Sequence, residues 1–399
     1  MIPTLKLLDT DGTRLAASPS ETSAHESAST ADLSTTANGP GYQNGQAMAG
    51  IAARIAAYAA ELTPDRLRDA YRHMVRARAF DQQATALQRQ GELGLWASCL
   101  GQEAGQVGSA MATPEQDFVF PSYREHAVAS VRGMDLARLL PVMRGTRHGG
   151  WDPAEHNFHI YTFVIGAHTL HAVGRAMAIQ QDRRRGVENP SQAVVCYFGD
   201  GATSQGDSNE ALIFAASNNA PVLFIVQNNH WAISVPSSVQ SRVPIAQRAD
   251  GFGIPRLRVD GNDILASYAA TRYALEHIHN DGGPFFLELV TYRMAAHTTS
   301  DDPTRYRSRE EEAEWAAKDP IARLRALLER EGHADGSFFQ QVDDDAAGLA
   351  RDVRESTKAN KAGDAVEMFD HVYATDHREV ARDRSEWTHY RARAAAATA

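Results

Sequence analysis

The stretch AVVCYFGDGATSQGDSNEALIFAASNNAPVLFIVQNNHW, residues 193–231, decides the fold. Two short apolar runs, residues 193–198 and 221–227, bracket a helix-like segment, and both are rich in the Val, Ile and Phe that buried strands favour. A strand, a helix and a second strand form a βαβ unit, in which the parallel strands end at the same edge of the sheet. The sequence therefore predicts an α/β fold built on a parallel sheet.

Polar residues follow each of these two predicted strands. Gly199-Asp200-Gly201 comes after the first, and Asn228-Asn229 comes after the second. The topology brings Asp200 and Asn229 to the carboxyl edge of the sheet, where open parallel sheets bind their ligands. A carboxylate beside a neutral amide oxygen suits Mg²⁺ with room left for phosphate oxygens. Each motif alone is more often a strand-ending turn, but the two in succession are much rarer.

The composition argues against several classes of function. The 399 residues are 43% hydrophobic, enough for a sizeable core, and the formal net charge of −10 does not favour nucleic-acid binding. The two cysteines, Cys99 and Cys196, form no disulfide framework and favour a reducing compartment. No signal-peptide pattern is visible, and no apolar run reaches the roughly 18 residues that cross a bilayer. We expect a cytoplasmic protein that binds neither membrane nor nucleic acid.

The chain divides into three predicted parts. Residues 1–48 begin with a possible extended segment over 1–16 and continue as a polar, small-residue flexible arm or linker, the alternative being an arm that orders on a partner subunit. Residues 49–335 alternate helix-like and strand-like segments and form the main domain, with one helix predicted over 128–144 and a charged helix from 310 to about 331. Residues 336–399 form a predicted helical C-terminal extension.

Residues 145–164 form a predicted loop that contains His148, His156 and His159. Three histidines raise the question of a zinc site, but their spacing fits no ligand pattern and no HExxH or Cys accompanies them. We interpret this segment as a mobile active-site loop.

Two further patches follow predicted strands: PSYREHA at 121–127 and VTYRMAAHTTSDDPTRYR at 290–307. Together with the 199–229 motif, and in this order, they resemble the alpha subunit of the two-subunit thiamine diphosphate-dependent 2-oxo acid dehydrogenases. The resemblance covers about residues 65–335. It implies the thiamine diphosphate-binding fold, a parallel sheet flanked by helices, and oxidative decarboxylation of a small 2-oxo acid with reductive acylation of a lipoyl group.

The same resemblance implies partners. The glutamate that activates the cofactor lies on a separate beta subunit in this family, and this chain contains no counterpart. We therefore expect an α₂β₂ heterotetramer that docks on a lipoyl-bearing acyltransferase core and is inactive as the alpha chain alone.

The resemblance also assigns ligands for a magnesium ion and the diphosphate. The side chains of Asp200 and Asn229 and the backbone carbonyl of Trp231 would bind Mg²⁺, whose octahedral shell the diphosphate and water complete. Gly201 and Ala202 would offer backbone N–H groups to the diphosphate at the start of the following helix, where anions are favoured.

Five more positions correspond to residues of the family's cofactor site. Tyr123 and Arg124 match its diphosphate-binding pair, since Arg offers a fixed fork of donors to phosphate. Phe163 and Ile165 match positions that line the cofactor near its aminopyrimidine. His297 matches the active-site histidine that faces the diphosphate and the reaction centre.

His297 follows a predicted strand together with other charged and aromatic side chains. A lone histidine is usually structural, but the company of Arg293 and Tyr306 favours a functional role. We predict His297, Arg293 and Tyr306 as the catalytic residues of this chain.

The sequence departs from that of relatives at four places. Gln227 stands where some relatives have Arg, and Ala97 stands where pyruvate-specific animal relatives have His. The stretch that holds potassium in the animal branched-chain enzyme reads YTFVIGAH here, residues 161–168, so no potassium is predicted. Thr298 occupies the position of a regulatory phosphoserine in animal relatives.

The substrate is predicted from the loop around His297. AAHTTSDDPTRYR, residues 295–307, resembles branched-chain enzymes more than pyruvate enzymes, which favours substrates such as 3-methyl-2-oxobutanoate. The alternatives are pyruvate, acetoin, and a non-catalytic paralogue that binds partners but no cofactor. A nucleotide-binding protein is disfavoured because neither GxGxxG after a strand nor a P-loop is present.

Overall fold

The computed structural model describes residues 4–20, 45–147, 149–187 and 192–398. The strands in these ranges are β1 (Thr4–Leu8), β2 (Arg14–Ser20), β3 (Phe118–Phe120), β4 (Val194–Gly199), β5 (Val222–Asn228), β6 (Trp231–Ala232), β7 (Val235–Pro236), β8 (Arg256–Asp260) and β9 (Phe285–Val290). Seven of them form one sheet in the order β2-β1-β8-β9-β5-β4-β3. Only β2 runs antiparallel to its neighbour in this sheet, so the predicted parallel sheet is confirmed.

Helices cover both faces of the sheet. The α-helices of the described residues are α1 (Gly45–Ala60), α2 (Pro64–Arg89), α3 (Glu103–Ala112), α4 (His126–Val131), α5 (Leu140–Arg144), α6 (Pro153–His156), α7 (Ala167–Arg185), α8 (Gly206–Asn218), α9 (Ser237–Gln240), α10 (Ile264–His279), α11 (Arg309–Ala316), α12 (Pro320–Arg330), α13 (Gly336–Ala359) and α14 (Arg378–Thr398). Short 3₁₀ helices span Leu136–Leu139, Asp200–Ser204, Ile245–Phe252, Pro303–Arg305 and Ala365–Phe369.

The central strand β4 explains why the sheet needs helices on both faces. Its side chains alternate between two cores: Val195 and Tyr197 pack with α2, α3 and α10, whereas Val194, Cys196 and Phe198 pack with α7 and α8. All five side chains are at most 2% exposed. A strand buried on both faces is an almost continuous apolar run, as the sequence showed.

The βαβ unit predicted from residues 193–231 is confirmed. β4 and β5 pair in parallel from Val194 opposite Val222 to Gly199 opposite Gln227, and α8 connects them. α8 ends at Asn219, whose left-handed φ of 49° turns the chain back towards β5. Both strands therefore end at the same edge.

Two predicted helices are wrong because each is interrupted. The helix predicted over 128–144 ends at Val131, since Gly133 adopts a left-handed φ of 76° and the side chain of Asp135 accepts the backbone N–H of Ala137 to start a new turn. The charged helix predicted over 310–331 is divided into α11 and α12. There Asp319 caps α12 and Pro320 occupies its first position.

The possible extended segment predicted over residues 1–16 is confirmed by β1 and β2. The assignment of residues 1–48 to a flexible arm is wrong for residues 4–20. β1 and β2 belong to the main sheet, because Leu5, Leu7 and Leu8 bury their side chains in its core. The backbone N–H groups of Leu7 and Leu8 also donate to the carboxylate of Asp263, at 2.6 and 2.7 Å. Residues 21–44 of the predicted arm lie outside the described residues.

The C-terminal part is helical, as predicted. α13 packs against α2 through Phe338 and Phe339, whose rings lie 6.0 and 5.2 Å from that of Tyr71. α14 is exposed and is tied to the turn before it by ion pairs such as Arg384 with Asp370. Among the described residues, no helix is long and apolar enough to cross a membrane.

Candidate active site

A cavity of about 210 Å³ opens at the carboxyl edge of the sheet, beyond the ends of β4 and β5. Most of the cofactor residues predicted from the sequence line it, although they come from five separate segments of the chain. They are Tyr123, Arg124, Ile165, Asp200, Gly201, Ala202, Asn229, Trp231 and His297.

Asp200 and Asn229 lie side by side in this cavity. The backbone N–H of Asn229 donates to the Asp200 carboxylate at 3.3 Å, and the side-chain amide of Gln240 donates to its other oxygen at 3.2 Å. Asp200 is 1% exposed, and its burial raises the pKa of the carboxyl group. A buried carboxylate whose partners are uncharged amides is suited to receive a cation.

The carbonyl of Trp231 lies beside this pair but is already partly engaged. The guanidinium of Arg293 donates to it at 2.8 Å and to the carbonyl of Ile233 at 2.7 Å. A carbonyl oxygen has two lone pairs, so one remains for a metal ion.

Arg293 and Tyr306 lie behind the cavity wall and do not line it. Arg293 is fully buried and donates to the hydroxyl of Tyr306 at 3.0 Å. The Tyr306 hydroxyl donates in turn to Asp301, which also accepts the backbone N–H of His297 at 2.8 Å. Both side chains therefore brace the wall on which Trp231 and His297 lie.

Arg124 and His297 meet directly across the cavity. The Arg124 guanidinium donates to the His297 carbonyl at 2.9 Å and lies 3.4 Å from its Nδ1. Arg293 also approaches Nδ1, at 3.5 Å. Because guanidinium groups only donate, Nδ1 accepts and the imidazole proton lies on Nε2. Burial and the two arginines lower the pKa of His297 to about 4, so the ring is neutral at pH 7.

Aromatic side chains lie along one side of the cavity. The ring of Tyr123 stacks on that of Phe163 with 5.9 Å between centroids, and it meets His297 edge-on at 6.4 Å. Phe163 contributes this stacking contact and does not line the cavity itself. Phe163 and Ile165 are 44% and 42% exposed, so this side of the cavity faces outward.

Sequence reasoning missed three cavity residues or neighbours. Gln102 is 1% exposed, and its Nε2 has no hydrogen-bond partner among the described residues. Glu125 is a buried carboxyl group that accepts from Gln227 and from the hydroxyl of Ser122, the latter at 2.8 Å. Gln240, the last residue of α9, contacts Asp200. Gln102 and Gln240 do not directly follow a predicted strand, so no positional signal distinguished them. Glu125 lies in the 121–127 patch that follows β3, but it was not singled out there.

The residues present fit a magnesium ion and a diphosphate. Among the described residues, the Asp200 carboxylate has no cationic hydrogen-bond partner and the Nε2 of Gln102 is a buried donor without an acceptor. Gly201 comes so close to Ala232 that an added Cβ would lie 2.8 Å from the Ala232 Cβ. Gly201 therefore has no side chain to obstruct an anion that approaches its backbone N–H. The described residues hold no cluster of three His, Cys, Asp or Glu, which the predicted single-carboxylate site does not require.

The histidines of the 145–164 loop do not form a metal site in the described residues. His156 contacts the Arg132 carbonyl through Nδ1 at 3.3 Å, and the ring of His159 stacks on Phe120. His148 lies outside the described residues.

Comparison with known proteins completes the site. The family described as "Dehydrogenase E1 component" matches residues 71–365, which is more than half of the chain. The chain belongs to the dehydrogenase E1 component family. The predicted family, fold class and enzyme class, an oxidoreductase E1 component of a 2-oxo acid dehydrogenase, are confirmed.

The relatives of this chain include both a branched-chain 2-oxo acid enzyme and a pyruvate enzyme. The 3-methyl-2-oxobutanoate dehydrogenase subunit alpha of Mycobacterium tuberculosis is 44% identical over 318 residues, covering 79% of this chain and 85% of the relative. The pyruvate dehydrogenase E1 component subunit alpha of Bacillus subtilis is 40% identical over 274 residues, covering 68% and 72%. The chain is a homologue of the branched-chain alpha subunit, as predicted, and "alpha" implies a companion beta subunit.

Proposed function

We propose that this chain is the alpha subunit of a branched-chain 2-oxo acid dehydrogenase and holds the diphosphate end of thiamine diphosphate with Mg²⁺. One observation carries the proposal. Residues predicted from separate strand ends, among them Arg124, Asp200, Asn229 and His297, share one cavity. The dehydrogenase E1 component family generally uses thiamine diphosphate.

The metal and the diphosphate would be held by different groups. Asp200, Asn229 and the Trp231 carbonyl would bind Mg²⁺ through oxygen, which this ion prefers. Arg124 and the backbone N–H groups of Gly201 and Ala202 would bind the diphosphate, because a helix start and a guanidinium both favour anions.

His297, Arg293 and Tyr306 complete the proposed site around the metal and the diphosphate. Bound thiamine diphosphate supplies the carbanion that attacks a 2-oxo acid and the electron sink for loss of CO₂. His297, neutral at pH 7, carries its proton on Nε2 and offers it as a hydrogen-bond donor towards the cavity. Arg293 and Tyr306 act behind it by holding Trp231 and His297 in place. Their predicted catalytic role is therefore one of positioning.

Partners complete the enzyme. We propose an α₂β₂ heterotetramer in the cytoplasm, in which the beta subunit supplies the activating glutamate and a lipoyl-bearing acyltransferase core accepts the acyl group. The outward-facing side of the cavity at Phe163 and Ile165 supports a partner there, because large apolar side chains at a site entrance favour burial.

Branched-chain 2-oxo acids are the proposed substrates, and pyruvate is the second candidate. The 44% identity to a 3-methyl-2-oxobutanoate enzyme favours the first, and the 40% identity to a pyruvate enzyme supports the second.

The experiment is co-expression of this chain with its beta subunit. Calorimetry with thiamine diphosphate and Mg²⁺ is expected to give heat of binding, and kcat/KM is expected to be higher for 3-methyl-2-oxobutanoate than for pyruvate. No binding by the folded assembly would favour the non-catalytic paralogue. A pyruvate preference would overturn the substrate, and decarboxylation by the alpha chain alone at the full rate would overturn the two-subunit site.

A further inference from the structure

Asp81, on α2, is a buried carboxylate that lies outside the cavity and is 2% exposed. Three groups donate hydrogen bonds to it: the indole Nε1 of Trp96 at 2.5 Å, the hydroxyl of Ser98 at 2.6 Å and the backbone N–H of Cys99 at 3.0 Å. All three belong to segment 96–100, which is neither helix nor strand. One carboxylate thus accepts three donors from a loop that belongs to no helix or strand.

The backbone carbonyls of this segment hold the segment that carries Arg124. The Ser98 carbonyl accepts from the Arg124 guanidinium, and the Ala97 carbonyl accepts from the Nε2 of His126 at 2.8 Å. The ring of Trp96 also stacks on that of His126, with 4.4 Å between centroids. The orientation of these carbonyls therefore determines where the Arg124 guanidinium lies.

Segment 96–100 also holds the loop that carries His297, from both sides. The Leu100 carbonyl accepts the backbone N–H of Met294 at 3.1 Å, and the Trp96 carbonyl accepts that of Thr299 at 3.0 Å. A shift of the segment would consequently move both Arg124 and His297.

We propose that Asp81 is a positioning residue for the diphosphate end of the cofactor and acts through segment 96–100 on Arg124 and His297. This inference rests on the proposed function. A carboxylate is required because two accepting oxygens serve three converging donors. Burial raises the pKa of Asp81 to about 6, which leaves the group mostly ionised at neutral pH. In Asp81→Asn only one oxygen accepts, so either the Trp96 indole or the Cys99 N–H faces an amide donor.

The test measures the affinity of the alpha–beta assembly for thiamine diphosphate with Mg²⁺ by calorimetry. Asp81→Asn is expected to raise Kd about tenfold, which is the effect of one displaced buried hydrogen bond. At saturating cofactor, kcat is expected to stay within about twofold of wild type, because a positioning defect of this kind is overcome by binding.

Asp117 provides a matched control. It is a fully buried carboxylate that precedes β3 at the opposite edge of the sheet. One of its oxygens accepts the backbone N–H groups of Gln192 and Ala193, each at 2.9 Å, and the other lies 2.9 Å from Nε2 of His279, a contact that Asn would disturb. Asp117→Asn is expected to lower the melting temperature and leave Kd unchanged.

The outcomes separate this inference from the proposed function. Failure of the wild-type assembly to bind the cofactor contradicts the proposed function, whereas wild-type binding with an unchanged Kd in Asp81→Asn overturns the inference alone. An equal loss of affinity in Asp117→Asn also overturns it. If Asp81→Asn does not assemble, Ser98→Ala replaces it, since it keeps the Ser98 carbonyl and removes only the hydroxyl. A Kd raised about threefold or more then supports the inference, and an unchanged Kd contradicts it.

Discussion

Asp200 is a buried carboxylate whose hydrogen bonds come from uncharged amide groups of Asn229 and Gln240. Its burial raises the pKa of the carboxyl group and therefore costs stability at neutral pH, a cost that a bound cation would offset. Asp200→Asn is expected to stabilise the cofactor-free assembly by about 1 kcal/mol. The same change is expected to weaken magnesium-dependent cofactor binding at least about 100-fold, since a charged metal ligand is lost. Thermal melts and calorimetry with and without Mg²⁺ measure the two effects.

Asp207, exposed on α8, is the control for Asp200. Asp207→Asn removes the same charge from solvent and is expected to change neither the melting temperature nor the affinity. Destabilisation of the cofactor-free assembly by Asp200→Asn would contradict the electrostatic interpretation of this site.

His297 is expected to make the folded chain sensitive to acid. Burial, Arg124 and Arg293 lower its pKa from 6.5 to about 4, so the unfolded chain takes up a proton at higher pH than the folded chain does. The stabilising contribution is complete above pH 6.5 and is lost as the pH falls towards 4. Between pH 7 and pH 5, the free energy of unfolding is therefore expected to fall by about 1 kcal/mol less in His297→Asn than in wild type. This value is reduced because His297 is partly exposed and solvent screens its charge.

Urea denaturation of the alpha–beta assembly at pH 7 and pH 5 measures this difference. The other buried histidines are present in both proteins, so their contribution cancels. His389→Asn, on the exposed face of α14, is the control and is expected to follow wild type at both pH values. Identical pH dependence in wild type and His297→Asn would show that the folded ring is as easily protonated as the unfolded one.

At the junction of β1 and α10, Asp263 connects two elements that are distant in sequence. One carboxylate oxygen caps α10 by accepting the N–H groups of Leu265 and Ala266, and the other accepts those of Leu7 and Leu8 in β1. Asp263→Ala would leave all four buried donors without an acceptor. The expected loss of unfolding free energy is about 3 kcal/mol, measured by urea denaturation.

Asp335 is the control for the Asp263 prediction, because it caps α13 from an exposed position. It accepts the backbone N–H of Phe338 and the hydroxyl of Ser337, both within α13. Asp335→Ala is expected to cost about 1 kcal/mol, as an ordinary helix cap does. Equal losses in the two variants would show that β1 gains nothing from Asp263.

Strands were predicted where their signals are local in the sequence, and less fully where they depend on distant contacts. Local signals sufficed for the strands β4 and β5, each of which is a short apolar run. The strands at the N-terminus depend instead on a contact between Leu7 and Asp263 that spans 256 positions of the chain. The sequence therefore predicted a possible extended segment over residues 1–16 but not its place in the main sheet.

The residues of the site also differ in whether the sequence could predict them. Asp200, Asn229 and His297 were predictable because each follows a strand, and parallel strands end together. The partners that orient them, such as Gln240 and Asp81, reach the site from the end of α9 and from within α2. Their role depends on side-chain direction, which a linear pattern does not contain.

The molecule as a whole presents an exposed apolar rim beside the cavity. We define this rim as Phe163, Val164, Ile165, Ile233 and Val239, which are between 42% and 73% exposed. Ile165 and Ile233 also line the cavity, so the rim continues into the site. Apolar side chains grouped at the mouth of a polar cavity are typical of a surface that a partner covers.

Val164→Asp introduces a charge into this rim. If the beta subunit packs there, as the proposed heterotetramer requires, association is expected to weaken at least about tenfold, because a carboxylate would be buried without a partner. Folding of the alpha chain should not change, since Val164 is 70% exposed. Sedimentation of mixed alpha and beta chains measures association, and circular dichroism checks the fold.

The control is Val187→Asp. Val187 is 52% exposed and follows α7, whose other end lies at the cavity. Weakened association in both variants, or in neither, would contradict a beta-subunit contact at the rim.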